Sequence, residues 1–222
     1  MDDFKVIFDR AVSIKGGREQ LEGLLPEPKS QQELSQTTDD RYLSEMTKCI
    51  FRAGFVWKVI ENKWPDFERV FKGFNPKVNA MMSDEQLENI AGDASIVRNY
   101  QKVESVRANA QFVLDVSAAY GSFGVFIAEW PRDDMTGLFT LLKKKGKRLG
   151  GHTCQYFLRF TGKDTYMFSD DVVKVLIEQG IVSKQPTSQK DLQAVQEAFE
   201  QWRAESGRPL CQISRIMAAS VG

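Results

Sequence analysis

Apolar residues in this chain return every three or four positions almost from end to end, and the breaks between runs are glycine, proline and cap residues. That period is the helical one, and no alternating runs supply the partners a sheet needs, so an all-α chain is expected. Asp39 or Asp40 is placed to cap a helix through Tyr42, Leu43, Met46, Ile50 and Phe51 that ends near Gly54. Pro65 stands at a first helical position ahead of Phe67, Val70 and Phe71, with Gly73 as the stop. Ser83 and Gln86 read as a capping box before Leu87 and Ile90, and Gly92 closes that helix. The longest run, about Asn99 to Tyr120, carries Val103, Val106, Ala110, Val113 and Leu114 at helical spacing.

Later segments follow the same grammar. Phe123 to Trp130 has a strand-like composition, but without partner strands it is expected to be helical or irregular. Met135 to Lys145 reads as a short helix with a basic end, and His152 to Phe160 as a buried one. Asp170 or Asp171 is placed to cap a helix through Leu176, ending at Gly180. Ser188 caps a polar helix from Gln189 to Glu205, stopped by Gly207, and Pro209 opens a last amphipathic helix. Pro26 to Thr38 is polar and rich in breakers, and reads as a linker or extended arm.

With 222 residues the chain can hold one sizeable core or two tightly packed helical lobes. Its apolar runs are interrupted by Lys, Glu or Gln well short of a membrane span, and the acidic start Met1-Asp2-Asp3-Phe4-Lys5 lacks the apolar core of a signal peptide. No membrane partner and a cytoplasmic location are expected. Cys49, Cys154 and Cys211 are odd in number and far apart, which argues for reduced, buried thiols. Thirty basic residues balance thirty acidic ones, so any nucleic-acid face must come from local concentration of charge. Lys143-Lys144-Lys145-Gly146-Lys147-Arg148 is such a concentration; it reads as a phosphate-contacting patch or as a solvated helix end where lysines suit the dipole.

The segment from Asp84 to the long helix is a short helix, a tight hairpin over Gly92 to Arg98, and a second helix. Such a unit can aim backbone N–H groups and a helix N-terminus at a phosphate. Arg98 and Lys102 stand at the start of the second helix, where the dipole disfavours cations unless an anion is bound. Spacing alone fits an ordinary packed αα-hairpin better, because a glycine-rich turn is missing. His152, the one histidine, reads as a helix-start residue; contact with a phosphate or service as a base is the alternative.

Ala53-Gly54-Phe55-Val56-Trp57, then Phe67 to Phe74, Asn75-Pro76 and the hairpin, resembles 3-methyladenine DNA glycosylase I in the order and spacing of its motifs. A second block, Leu141 to Gly151 with Thr153, Tyr156 and Asp171-Val172-Val173, is similar to the family's C-terminal half. The resemblance, from about Leu43 to Val175, implies an all-α, two-lobed helical fold of the helix-hairpin-helix DNA glycosylase superfamily. It divides the chain into an N-terminal arm with helices (1–38), the glycosylase-like domain (39–186) and C-terminal helices packed on that domain (187–222). It implies hydrolysis of the N-glycosidic bond of an alkylated purine such as 3-methyladenine, flipped out of double-stranded DNA. Trp57, Cys49 and Tyr156 would line the base pocket, Phe55 would wedge into the vacated stack, and Gly92, Ser95, Val97, Arg98, Lys102 and Lys147 would hold the DNA backbone.

The chain departs from the family in three places. Asp171 and Val175 stand where zinc ligands would be, so no metal is expected, nor any other cofactor. The base-reading glutamate falls at Cys49 or Ile50, and Glu45, one helical turn back, is its candidate substitute. Before about Asp39 the family's aromatic residues do not align. Many superfamily members carry a catalytic aspartate near Ser169, Asp170 and Asp171, with Ser169 best aligned; Glu45, Asp170 and Asp171 are therefore the candidate catalytic carboxylates. No lysine occupies the hairpin turn, which argues against a Schiff-base lyase. A monomer working at the nucleoid is expected. Two other readings stay open: a DNA-binding protein with the fold but no catalysis, and an interaction module whose last long helix docks a partner through Phe199 and Trp202.

Overall fold

A computed structural model describes residues 2–222. Every regular element among them is helical, fourteen α-helices and two 3-10 turns, so the all-α expectation holds. The chain forms two compact units: one from residues up to Lys29, 131–138 and 162–222, the other from 30–130 and 139–161. Residues 187–222 thus group with the beginning of the chain.

The second unit is built on the helix Tyr100–Tyr120, which packs against Pro76–Ala80, Asp39–Arg52, Phe123–Glu129 and Asp84–Gly92. Its Val103, Val106, Ala110 and Val113 are buried, as their spacing requires. Two aromatic clusters fill the core. Tyr42, Phe112, Phe123 and Phe157 meet at tilted and edge-on angles, and Trp64, Phe67, Phe71 and Phe74 form a near-parallel stack. Asn99 caps the long helix, accepting from the Lys102 N–H, and Ser83 with Gln86 makes the expected capping box. Phe123–Glu129 is an α-helix despite its strand-like composition, because no strand is present to pair with it.

Several boundaries differ from the expectation. Pro26–Thr38 is not simply an arm: Ser30 and Glu33 form a capping box that starts a helix over Gln31–Gln36. Pro65 lies in the interior of a helix over Trp57–Val70 and does not begin it; Trp57 and buried Ile60 extend the apolar pattern upstream. Asp39 and Asp40 sit in the first helical turn, and Asp39 instead accepts from the Ser117 hydroxyl and the Phe123 N–H. Ser169, rather than either aspartate, caps Asp170–Glu178.

The first unit packs Phe4–Ile14, Asp170–Glu178, Gln189–Ser206 and Leu210–Ala219 together. Phe199 and Trp202 are fully buried in it, Phe199 stacked on Tyr166 at 4.3 Å. That removes both rings from the surface, so they cannot serve as the docking residues of an interaction module. No single helix among the described residues is long and apolar enough to cross a membrane.

Gly124 shows how closely the helices approach. A Cβ there would lie 2.7 Å from the carbonyl oxygens of Leu34 and Thr37 and 2.9 Å from that of Ser35, all backbone atoms that cannot swing aside. We expect Gly124→Ala to lower the unfolding free energy by about 1–3 kcal/mol, through forced separation of the two helices. A urea melt with an unchanged midpoint would contradict this.

Candidate functional site

Within the second unit a cavity of about 510 Å³ opens where the end of Asp39–Arg52, the turn Ala53–Val56 and Trp57 meet the helix His152–Thr161. Gly54, at φ +78°, lets the chain turn sharply between the two helices. Phe55 and Val56 then stand out at 39% and 69% exposure beside the opening. Three rings form the wall: Trp57 meets Tyr156 edge-on at 5.1 Å and Phe160 at 5.9 Å, while Tyr156 and Phe160 stack at 5.7 Å. Cys49, His152 and Thr153 complete the lining with Arg52. Burial pushes the Cys49 thiol well above its ordinary range, so it is a small polar wall atom and not a nucleophile.

Arg52 is the charged group of this wall, its side chain only 11% exposed. Its guanidinium lies over Trp57 at 5.1 Å and Phe160 at 4.8 Å. It hydrogen-bonds Glu61 at 3.2 Å and lies 3.6 Å from Glu45, whose carboxylate also accepts from the Cys49 thiol. Its Nε–H is buried without a partner, a condition that costs about 1–3 kcal/mol for an ordinary buried donor.

Behind the wedge-like turn sits Lys102. It is buried, and its ammonium donates to the carbonyls of Phe51 (3.2 Å) and Ala53 (2.5 Å) under the Phe55 ring at 4.5 Å. These carbonyls belong to the helix end that has no partners of its own. Burial, helped by the charge of Arg148, lowers the Lys102 pKa to about 8.

The hairpin is braced from the helix Trp57–Val70. Lys63 donates to the carbonyls of Ala94 and Ser95, and Arg69 to the Ser95 hydroxyl. Ile96 is buried beneath it, Arg98 is exposed, and the N–H groups of Val97 and Arg98 have no acceptor among the described residues. Asn109 clamps the backbone of Lys147 through both amide atoms, and Arg148 reaches Gln101 at 3.1 Å. The end of the basic run is thereby held beside the first turns of the hairpin's second helix.

Comparison with known proteins bears directly on this arrangement. Residues 33–136 match the methyladenine glycosylase sequence profile. Over that stretch the chain is similar to the methyladenine glycosylase family. DNA-3-methyladenine glycosylase 1 of Escherichia coli (strain K12) is 31% identical over 81 residues, which is 36% of this chain and 43% of that protein. The chain therefore aligns with less than half the length of this curated relative. The crystal structure of a mutant of 3-methyladenine DNA glycosylase I from Staphylococcus aureus is 26% identical, covering 57% of this chain and 78% of that one at a TM-score of 0.51. An 8-oxoguanine DNA glycosylase from Methanocaldococcus jannaschii shares the fold at 13% identity, over 95% of this chain and 91% of that one, at 0.54.

The residues singled out in the sequence are placed as follows. Trp57, Cys49 and Tyr156 line it, and Phe55 is at its rim. Glu45 does not reach the lining; its carboxylate is occupied by Arg52 and Cys49. Asp170 and Asp171 open a helix of the other unit, where Asp171 pairs with Lys174. Lys102 points inward to carbonyl oxygens, because burial beneath Phe55 leaves it no route to a phosphate on the surface. Gly92 and Ser95 frame the hairpin, and Lys147 is exposed. At the zinc-ligand positions, Asp171 in its ion pair and buried Val175 are a set that does not suit zinc, which takes sulfur and imidazole donors. Arg52 and Phe160 escaped the sequence reading; the clue was their place one turn from Cys49 and from Tyr156.

The depressed Lys102 pKa has a definite sign. Below pH 8 the folded and unfolded chains both hold the proton, and the buried charge weighs on the fold. Between pH 8 and the ordinary 10.5 only the unfolded chain keeps it, so this group's contribution to stability rises with pH. The stability difference between wild type and Lys102→Met should shift in favour of wild type by about 1–3 kcal/mol across that window. Urea melts at each pH measure it, and a flat difference would refute the assignment.

Proposed function

We propose that the protein is a monofunctional DNA base-excision glycosylase that hydrolyses the N-glycosidic bond of alkylated purines such as 3-methyladenine. One observation carries the reading: a ring-walled cavity opens beside an exposed Phe55-Val56 knuckle, in the same unit as a braced hairpin with open N–H groups. A damaged base inside a duplex is reached only by flipping it out. Phe55 fills the vacated stack and the base enters against Trp57 and Tyr156. Gly92, Ser95, Val97 and Arg98, with Lys147 beside them, hold the DNA backbone by amides and charge. The partner is double-stranded DNA carrying the lesion, the protein acts as a monomer, and a cytoplasmic, nucleoid-associated location follows from that substrate.

The chemistry asks little acid catalysis of the pocket. An N3-alkylated purine is cationic, and that charge already weakens the bond to the sugar. Glu45 and Glu61 outweigh the single charge of Arg52, so the cavity does not repel such a base. Glu45 acts electrostatically through Arg52, while His152 and the Thr153 hydroxyl are the wall groups able to steer the attacking water. The reading of a DNA-binding protein without catalysis is the alternative, favoured by the absence of a carboxylate on the wall.

Purified protein should release 3-methyladenine from alkylated duplex DNA. Trp57→Ala should lower that rate by about tenfold, equivalent to roughly 1.4 kcal/mol of lost transition-state binding. Chromatography of the released bases measures both. Salt-dependent DNA binding with no release would select the non-catalytic alternative.

A further inference from the structure

The geometry points to Arg52 as a specificity-determining residue that reads the acceptor edge of a 6-oxopurine, so that alkylated guanines are taken in preference to alkylated adenines. This rests on the base-excision reading above and narrows its substrate class. Arg52 lines the cavity, and stacking over Trp57 and Phe160 fixes the plane of its guanidinium. A guanidinium has five N–H donors and no acceptor. Among the described residues the protein engages one of them in a hydrogen bond, to Glu61; Glu45 lies beyond hydrogen-bond length at 3.6 Å, and the Nε–H has no partner. The Nε–H is itself buried, so the donors a base can meet at this wall are the Nη hydrogens that Glu61 leaves open.

Only a ligand with acceptors can meet them. Guanine presents N7 and O6, two acceptors spaced to suit an arginine fork. Adenine presents N7 beside an N6 amine, whose hydrogens oppose the guanidinium donors. Charge does not reverse the preference, because two carboxylates attend the one guanidinium.

The test compares release of 3-methylguanine and 3-methyladenine from the same alkylated duplex DNA by wild type, Arg52→Met and Arg52→Lys. Binding of the two free bases, read as quenching of the fluorescence lost in Trp57→Phe, is measured alongside. Wild type should favour 3-methylguanine. Arg52→Met, which removes the donors, should reduce the ratio about tenfold. Arg52→Lys keeps the charge and loses the fork, so it should reduce the ratio as well; it also serves if the methionine variant does not fold by circular dichroism. Release of both bases with a ratio unchanged in both variants overturns the role of Arg52 and leaves the glycosylase reading standing. No release, with free-base binding that favours 3-methylguanine and depends on Arg52, supports the role and overturns base excision. No release and no binding overturns both.

Discussion

The Lys102 ammonium is a charge kept inside the second unit, and three structural parts meet on it. It comes from the helix that follows the hairpin, it satisfies the last carbonyls of the helix that carries Cys49 and Arg52, and it lies under the ring of Phe55. A helix end buried without partners is unfavourable, and here the partner is a cation whose sign also suits the C-terminal dipole. The hairpin, the cavity floor and the knuckle are therefore not independent. Moving the Phe55 turn strips the ammonium of its acceptors, and moving the hairpin helix strips the carbonyls of their donor.

On this frame the cavity combines features that usually oppose each other. Aromatic faces attract a cation, yet a resident cation already covers two of them. The two carboxylates keep the sum of charge negative while contributing no atom to the wall. On the proposed reading, recognition is left to shape, to stacking and to the open donors of Arg52, and a hydrogen-bond pattern rejects a mismatched base more sharply than apolar fit does.

Much of this was legible in the amino-acid sequence because it is local. Caps at Ser83 and Ser188 and the stop at Gly207 act within a few residues, and the elements they bound form where expected. The capping box at Ser30 and Glu33 was equally local and was masked by surrounding breakers. Pro65 misled because a proline suits a first turn, while the tertiary packing of Trp57 and Ile60 overrides the interior penalty. Residues meeting across the chain were harder to read. That Arg52 covers Phe160 and that Lys102 turns inward are consequences of helix packing, which spacing does not encode. Glu45 lies on Cys49's helix face, as its spacing predicts, with its carboxylate turned to the Arg52 guanidinium.

The clamp of Asn109 on Lys147 bears on how association proceeds. Arg148 next to it adopts φ +62°, an uncommon conformation for a non-glycine residue that the two amide hydrogen bonds help to hold. The basic loop is thus ordered before any anion arrives, and little conformational entropy remains to be lost on contact. Encounter with a polyanion should then be governed by long-range attraction and collision geometry, rather than by a slow search for the bound shape.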